Sequence, residues 1–271
     1  MRKIGSAVRR AGNIPVLEIY PEGVVGAPLV VYFHGYGGRK EDGISLGAMV
    51  AEEGLFFLAF DARGHGERAG AGEEPESPKN VYPAETGLDV WVHMLEIVAA
   101  APADFDRLLE AYRGDPRVRA DRAGVIGDSM GGYAAFLLAA AEERVRAAVP
   151  VIGLPAFVRR WEDLALETST YDRWREAMQA AAPYTEEVTA FLRSIDPAPR
   201  LAGFAPKPLL ILAGDQDTDQ PKSYTLPVYR ELTRRYADCP EKMKLSVYDG
   251  VPHAVTRTMR EEACRWLARH L

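Results

Sequence analysis

One serine of the chain lies in a pattern that could make it a nucleophile. Residues 123–133 read AGVIGDSMGGY, an apolar run followed by Ser129 between glycines and then by a helix-forming segment. Gly127 to Gly131 fit G-x-S-x-G, the nucleophile elbow of a strand–turn–helix unit. Side chains two positions from the serine would collide in so tight a turn, and glycine removes the collision. The pattern predicts that Ser129 stands clear at a helix N-terminus, which favours negative charge.

A serine hydroxyl is a weak nucleophile and needs a base. A neutral histidine oriented by a carboxylate supplies one, and after an elbow the acid and then the histidine follow, each just past a strand. Only His253 and His270 come after Ser129. His270 is the penultimate residue, on the last predicted helix. His253, in VYDGVPHAV, directly follows the last strand-like run and is the predicted base.

Three aspartates follow the preceding strand-like run, in PLLILAGDQDTDQP. They are Asp215, Asp217 and Asp219. A calcium loop is excluded, because Gln220 and Leu226 occupy the positions where that loop needs glycine and glutamate. Asp219 or Gln220 could also cap the next predicted helix. The spacing alone leaves the acid open among the three.

A glycine-rich segment could supply hydrogen-bond donors to a charged intermediate. VVYFHGYGG, residues 30–38, ends a strand-like run. A turn there can aim the backbone N–H of Tyr36 at the reacting oxygen, and the N–H of Met130 is the expected second donor. Losing one such donor typically raises the barrier by roughly 3 kcal/mol.

The elements that must carry these segments alternate along the chain. Two runs around the turn AGN predict a β-hairpin over residues 2–20. Apolar runs typical of doubly buried strands lie at 27–33, 54–60, 123–127, 147–153, 208–214 and 244–250. Helical segments lie at 41–53, 85–113, 130–141, 221–236 and 254–270, and Pro102 is expected to break or kink the second. The alternation predicts an α/β protein with a mostly parallel eight-stranded sheet and helices on both faces.

Residues 155–204 contain no strand-like run, and we expect two or three inserted helices there. Aromatic residues recur at helical spacing: Trp161, Tyr171, Trp174, Tyr184 and Phe191. They are expected to pack the insert onto the main domain. A compatible second interpretation is that some line a pocket under a cap, and Tyr36, Trp161 and Trp174 are the candidates for this pocket.

With these motifs the sequence resembles the α/β-hydrolase superfamily over residues 28–271. The matching motifs are HGYGG, DARGHG (61–66), GDSMGG (127–132), GDQD (214–217) and PH (252–253). The chain is most similar to the bacterial carboxylesterase, acetylxylan-esterase and dienelactone-hydrolase-like branch, which is related to prolyl-oligopeptidase-type catalytic domains. The resemblance implies the α/β-hydrolase fold, as a single domain over 1–271 with a small helical cap at 155–204.

The resemblance also assigns roles by position. Ser129 matches the nucleophile and His253 the base. Asp217 matches the acid, since the family has it three residues after the glycine that ends the strand. The DARGHG residues Asp61, Arg63 and His65 are expected to shape a loop beside the site. Dienelactone hydrolases proper carry cysteine at the position of Ser129, so that activity is not expected here.

The expected function is a carboxylesterase that cleaves esters of small or medium acyl groups through an acyl-enzyme, with no metal or organic cofactor. One alternative is a peptidase or amidase that acts on short peptides or aminoacyl amides. Another is a non-catalytic small-molecule binding protein on the hydrolase scaffold, because a fold alone does not prove a function. Transfer of the acyl group to an alcohol uses the same residues, so the sequence does not separate it from hydrolysis.

The composition of the chain limits the classes of molecule that it is expected to bind. The net charge of −6 argues against a nucleic-acid partner. The resemblance implies a small-molecule ester as the substrate. No apolar run has the length of a membrane span or a signal peptide. Cys239 and Cys264 form no C-x-x-C pair and are expected to be reduced thiols in a cytoplasmic protein. The sequence leaves the oligomeric state open.

Overall fold

Eight strands form one sheet in the computed structural model, which describes residues 2–70, 72, 87–169 and 182–271. They are β1 (Ile4–Ala11), β2 (Ile14–Pro21), β3 (Ala27–Phe33), β4 (Phe56–Phe60), β5 (Val118–Asp128), β6 (Val145–Val151), β7 (Leu209–Gly214) and β8 (Met243–Tyr248). Their order is β1-β2-β4-β3-β5-β6-β7-β8. The β1–β2 and β2–β4 pairs are antiparallel, and all other pairs are parallel. The predicted mostly parallel eight-stranded sheet is confirmed.

Helices cover both faces of this sheet. They are α1 (Ile44–Glu52), α2 (Leu88–Ala99), α3 (Ala101–Tyr112), α4 (Met130–Ala141), α5 (Phe157–Ser169), α6 (Ala182–Ile195), α7 (Lys222–Arg235) and α8 (Arg257–His270). Helices α1 and α8 contribute to one buried apolar cluster, whereas α2, α3, α4 and α7 contribute to the other. The sheet therefore lies between two cores.

The apolar run of β3 explains how one strand serves both cores. Successive side chains of a strand point to opposite faces. Leu29, Val31 and Phe33 accordingly lie in the core with α4, and Val30 and Tyr32 lie in the core with α1 and α8. Because every second residue faces each core, a strand buried on both sides must be apolar throughout.

Two predicted elements differ most from the structure, while the bounds of the others differ by no more than three residues. The helix expected over 85–113 is two helices, α2 and α3, and residues 85 and 86 lie outside the described ranges. Pro102 occupies the first turn of α3, where its missing N–H costs no helical hydrogen bond. Strand β5 starts at Val118, before the expected 123–127, and its pairing shifts register at Ala123/Gly124. Its first half alternates exposed residues with buried or half-buried ones, so no continuous apolar run marks it.

The insert between β6 and β7 contains α5 and α6. Trp161 of α5 is buried, its ring stacks on that of Trp91 of α2 at 6.2 Å, and its Nε1–H donates to Thr189 Oγ1 of α6 at 3.1 Å. Trp161 therefore packs the insert onto the main domain, as expected. Tyr171 and Trp174 lie outside the described residues.

Within the described ranges, no helix has both the length and the apolar character needed to cross a membrane. Cys239 and Cys264 are free thiols. Burial raises the pKa of the Cys264 thiol to about 12, so this side chain is a poor nucleophile at neutral pH.

Candidate active site

Ser129 lies in a strained turn between β5 and α4. Its backbone angles are φ 54° and ψ −112°, a conformation that is uncommon for residues other than glycine. The turn is held from two sides, because Ser129 N donates to Val151 O of β6 at 2.9 Å and Ser129 O accepts from Tyr133 N of α4 at 3.1 Å. Strained residues persist where their surroundings hold them, and they are concentrated at functional sites.

Glycine is required on both sides of this serine. A Cβ at Gly127 would lie 2.2 Å from the carbonyl oxygen of Gly131, and a Cβ at Gly131 would lie 1.8 Å from the carbonyl oxygen of Phe33. The predicted collisions are therefore confirmed. The second collision is with β3, so Gly131 also allows helix α4 to approach the neighbouring strand.

The structure brings together three side chains that are far apart in the sequence. His253 Nε2 lies 2.9 Å from Ser129 Oγ, and His253 Nδ1 lies 2.8 Å from Asp217 Oδ2. An ionised carboxylate only accepts hydrogen bonds, so Nδ1 carries the proton and Nε2 presents its lone pair to the serine hydroxyl. This tautomer is the one that a general base for serine must have.

The carboxylate of Asp217 is held on both oxygens. Its Oδ1 accepts the backbone N–H groups of Asp219 at 3.0 Å and of Gln220 at 2.7 Å, while Oδ2 faces the histidine. Its side chain is 1% exposed. Asp219 is exposed and contributes its backbone amide, and the backbone N–H of Asp215 bonds to the carbonyl of Tyr248 in β8. Of the three candidate aspartates, Asp217 is the one whose carboxylate contacts His253.

The two downstream histidines have different surroundings. Burial lowers the pKa of His253, but the hydrogen bond and the negative charge of Asp217, with the charge of Asp219, outweigh burial and raise this pKa above its usual value. His270 lies at the end of α8 against Trp266, with ring centroids 4.4 Å apart, and burial lowers its pKa. Of the two histidines, His253 is the one that contacts Ser129 and Asp217, and its role as the base remains a prediction.

Both expected oxyanion donors belong to segments that adjoin Ser129. Met130 is the first residue of α4. The 34–38 segment passes close to the serine, since a Cβ at Gly35 would lie 3.7 Å from Ser129 Cβ. Tyr36 is 44% exposed, and its ring contacts the rings of His65 and His93 edge-on. Donation by the amides of Tyr36 and Met130 remains a prediction.

Hydrogen bonds to two histidine rings hold the 34–38 segment and the 61–66 segment together. His34 Nε2 accepts from Ala62 N at 3.0 Å, and His65 Nε2 accepts from Gly37 N at 2.9 Å. Each ring's Nδ1 lies 2.7 to 2.9 Å from a carbonyl oxygen of its own segment. Both rings are therefore neutral with the proton on Nδ1. We call this reciprocal pair the His34–His65 clasp, and it fixes the backbone on both sides of Tyr36.

Asp61 anchors the second of these segments. It is fully buried, and its carboxylate accepts from Lys40 N and Lys40 Nζ, both at 2.9 Å, and from Glu67 N at 3.0 Å. Burial opposes its charge, but these hydrogen bonds outweigh burial and hold the pKa of Asp61 below its usual range. Arg63 Nη2 lies 3.7 Å from Asp104 Oδ1. These contacts support a structural role for Asp61, Arg63 and His65.

The structure also reveals contacts that the sequence analysis missed. The hydroxyl of Tyr133 in α4 donates to Gln220 Oε1 in the loop that carries Asp217. Capping by Asp219 or Gln220 is wrong, because α7 begins at Lys222 with no side-chain cap. A signal was present, since Tyr133 is the one polar side chain in the α4 sequence MGGYAAFLLAAA. A buried hydroxyl there needs a hydrogen-bond partner.

Two tryptophans are the remaining candidates for the substrate pocket. Trp161 is buried, and Trp174 lies outside the described ranges, so their place in a substrate pocket remains a prediction. Across residues 2–70, 72, 87–169 and 182–271, no group of three or more His, Cys, Asp or Glu side chains could hold a metal ion.

Comparison with known proteins identifies a matching family and relatives that cover nearly the whole chain. The family described as acetyl xylan esterase (AXE1) matches residues 19–270. The esterase YjfP of Escherichia coli (strain K12) is 25% identical over 268 residues, which are 97% of this chain and 98% of YjfP. TT1662 from Thermus thermophilus superposes with a TM-score of 0.70 at 24% identity, covering 98% of both chains. Acetyl xylan esterase 1 from Thermoanaerobacterium sp. JW/SL YS485 superposes with a TM-score of 0.64 at 21% identity, covering 99% of this chain and 88% of that one. The fold of these neighbours is the α/β-hydrolase fold.

Proposed function

Because the chain belongs to the acetyl xylan esterase family, a family of carboxylesterase-type hydrolases, we propose that it cleaves esters of small or medium acyl groups through an acyl-enzyme formed on Ser129. His253 is the base in this proposal, and Asp217 is the acid that orients it. The family supports ester hydrolysis in general. The mechanism and the size of the acyl group are the parts that we propose.

In the first half-reaction, Ser129 Oγ attacks the carbonyl carbon of the ester, and His253 Nε2 takes the hydroxyl proton. The carbonyl oxygen becomes an oxyanion, which accepts from the backbone N–H groups of Tyr36 and Met130. When the intermediate collapses, the bond to the alcohol oxygen breaks and His253 gives its proton to the departing alcohol. The acyl group remains on Ser129 as an ester.

In the second half-reaction, water attacks the acyl carbon and His253 takes its proton. The bond between the acyl carbon and Ser129 Oγ then breaks, His253 returns the proton to the serine, and the carboxylic acid leaves. Asp217 stabilises the imidazolium in both halves without taking a proton. If an alcohol replaced water in this step, the product would be a new ester.

One observation carries this proposal. His253 Nε2 lies 2.9 Å from Ser129 Oγ, and His253 Nδ1 lies 2.8 Å from Oδ2 of the buried Asp217 carboxylate. A nucleophile, a base within hydrogen-bond reach and a group that orients the base are the parts needed for covalent acyl transfer. The strained turn at Ser129 is a second support, since it holds the hydroxyl at the end of β5.

The proposed size of the acyl group is argued from the insert between β6 and β7. We propose that the chain is one domain and that residues 155–204 form a cap over it. The packing of Trp161 against Trp91, at 6.2 Å between ring centroids, supports a cap that is held to the domain. A capped pocket bounds the length of the acyl chain, and acetyl is within this range.

Hydrolysis of p-nitrophenyl acetate, butyrate, octanoate and palmitate tests the proposed substrate class. We expect the specificity constant kcat/KM to be highest for the short chains and to fall as the chain lengthens. Aminoacyl-p-nitroanilides serve as the matched amides, and their rates are expected to be far lower. Faster cleavage of the anilides would indicate a peptidase or amidase, and a preference for palmitate would contradict the small pocket.

The pH dependence of the reaction follows from the base. His253 acts in its neutral form, and Asp217 and Asp219 raise its pKa in opposition to burial. Activity should be full above this pKa and should be lost as the pH falls through it. The midpoint of the acid limb of kcat/KM is therefore expected above the usual histidine value of about 6.5. A rate that stays constant from pH 8 to pH 5 would exclude His253 as the base.

A nearby carboxylate provides the control for this pH profile. Burial raises the pKa of Asp128 to about 6, in opposition to the hydrogen bond from Tyr32, whose hydroxyl lies 3.0 Å away. Asp128 immediately precedes Ser129, so it could contribute to the same acid limb. The Asp128→Asn variant is expected to keep the wild-type midpoint. If the acid limb disappears in this variant, the limb belongs to Asp128.

A further inference from the structure

We propose that Tyr133 is a positioning residue for the catalytic acid, acting through Gln220. This inference rests on the proposed role of Asp217. The hydroxyl of Tyr133 donates to Gln220 Oε1, and the backbone N–H of Gln220 donates to Asp217 Oδ1 at 2.7 Å. We call residues 215–221, the loop that carries Asp217, the acid loop, and helix α4, which follows Ser129, the elbow helix. Gln220 of the acid loop thus binds the carboxylate with its backbone N–H and the elbow helix with its side chain.

The donor and acceptor in each hydrogen bond of Tyr133 follow from the groups that its hydroxyl contacts. The indole N–H of Trp91 can only donate, and its Nε1 lies 3.5 Å from the Tyr133 oxygen. The Tyr133 oxygen accepts there, so its single proton is free to go to Gln220 Oε1. Burial raises the pKa of Tyr133 well above its usual value, which keeps the hydroxyl protonated as a donor. The order is therefore Trp91, Tyr133, Gln220, Asp217.

Tyr133 is well suited to transmit position because its own place is tied to the nucleophile. It lies one helical turn after Ser129, with its N–H on the serine carbonyl at 3.1 Å. Its side chain is fully buried, and its ring packs on Phe157 of α5 with centroids 5.2 Å apart. A shift of the acid loop relative to the nucleophile must therefore stretch the bond between Tyr133 and Gln220.

The same series of contacts reaches the insert. Trp91 stacks on Trp161 of α5, which in turn donates to Thr189 of α6. The hydrogen bonds from Trp91 to Tyr133 and from Tyr133 to Gln220 join helices α2 and α4 to the acid loop. The acid is thus braced from the elbow helix and from the side of the insert.

Tyr133→Phe is the direct test, because it removes one hydroxyl and keeps the ring. We expect kcat for p-nitrophenyl acetate to fall about 10-fold with KM little changed, since a misplacement of ~1 Å in a catalytic group can cost about 100-fold. The pKa of His253 is also expected to fall, because Asp217 would support the imidazolium less and burial would then dominate. The acid limb of kcat/KM reports this pKa, and NMR titration of His253 reports it without turnover.

Tyr236→Phe is the matched control. Tyr236 is equally buried, and its hydroxyl bonds to the carbonyls of Phe204 and Lys207 at 2.7 and 2.6 Å, away from the site. Both variants lose a buried hydrogen bond, so both should lower the midpoint of thermal unfolding. Only Tyr133→Phe is expected to change kcat and the pKa of His253.

A double-mutant comparison tests whether Tyr133 acts through the acid. Adding Tyr133→Phe to Asp217→Asn should lower kcat by less than about twofold, since residues that act as a unit are not additive. Gln220→Met, which removes the acceptor and keeps the backbone N–H, should reproduce the single Tyr133→Phe variant.

Two results would overturn the inference. One is a Tyr133→Phe variant that loses stability like Tyr236→Phe while kcat and the pKa of His253 remain those of the wild type. The other is a full additional 10-fold loss in the Asp217→Asn background. If the wild type hydrolysed no ester, the proposed function would fail instead, and the NMR titration would still decide whether Tyr133 positions Asp217 against His253.

Discussion

Ser129→Ala is expected to abolish ester hydrolysis, with kcat lower by roughly 10⁵- to 10⁶-fold, the scale on which serine hydrolases lose activity without the nucleophile. The remaining rate would come from the oxyanion donors and substrate binding alone. The measurement is the initial rate on p-nitrophenyl acetate, together with labelling by a fluorophosphonate. The covalent label should also disappear, because it reports the serine oxygen directly.

The fold of this variant should be unchanged, which makes the result interpretable. Alanine would meet the same φ of 54° as serine, so the substitution neither adds nor relieves backbone strain. Ser6→Ala, on an exposed position of the edge strand β1, is the control and should keep full activity and labelling. If Ser129→Ala retained activity comparable to the wild type, the nucleophile would have been assigned wrongly.

Asp217→Asn has the second largest expected effect, a loss of roughly 10⁴-fold in kcat. The amide group of asparagine can donate to His253 Nδ1, which would move the imidazole proton to Nε2. The lone pair that must accept the proton of Ser129 would then be occupied. Initial rates across pH 6 to 9 distinguish this loss from a simple shift of the pH optimum.

The neighbouring aspartates provide matched controls for this prediction. Asp215→Asn and Asp219→Asn make the same chemical change in the same loop, and each should lower kcat by less than about 10-fold. Asp219 also contributes charge that raises the pKa of His253, so its variant should move the acid limb slightly to lower pH. If either control lowered kcat more than Asp217→Asn does, the role of the acid would belong to that aspartate instead.

The sequence could predict much of the fold because its signals were local. A strand buried on both faces is a short apolar run, and Phe56–Phe60 reads FFLAF with every residue buried. The glycines around Ser129 were equally readable, because a tight turn excludes a Cβ whatever lies elsewhere. Pro102 likewise marked the division between α2 and α3, because proline has no backbone N–H to donate and is best tolerated in the first turn of a helix.

The part that could not be predicted depends on contacts between distant side chains. Tyr133 and Gln220 are 87 residues apart, and neither forms a local pattern with the other. The three aspartates after β7 look alike in sequence, and the resemblance rather than the spacing selected Asp217. What distinguishes them physically is the direction of each side chain in the loop and its distance from His253.

The His34–His65 clasp has a consequence for anyone who would build this site elsewhere. The His34 ring accepts the backbone N–H of Ala62, and the His65 ring accepts the backbone N–H of Gly37. Neither segment therefore has all of its hydrogen-bond partners by itself. A graft of HGYGG alone into another scaffold would leave Gly37 N–H without its acceptor and the His34 ring without its donor. The transplantable unit is therefore the pair of segments, on two adjacent parallel strands that hold the rings 5.1 Å apart.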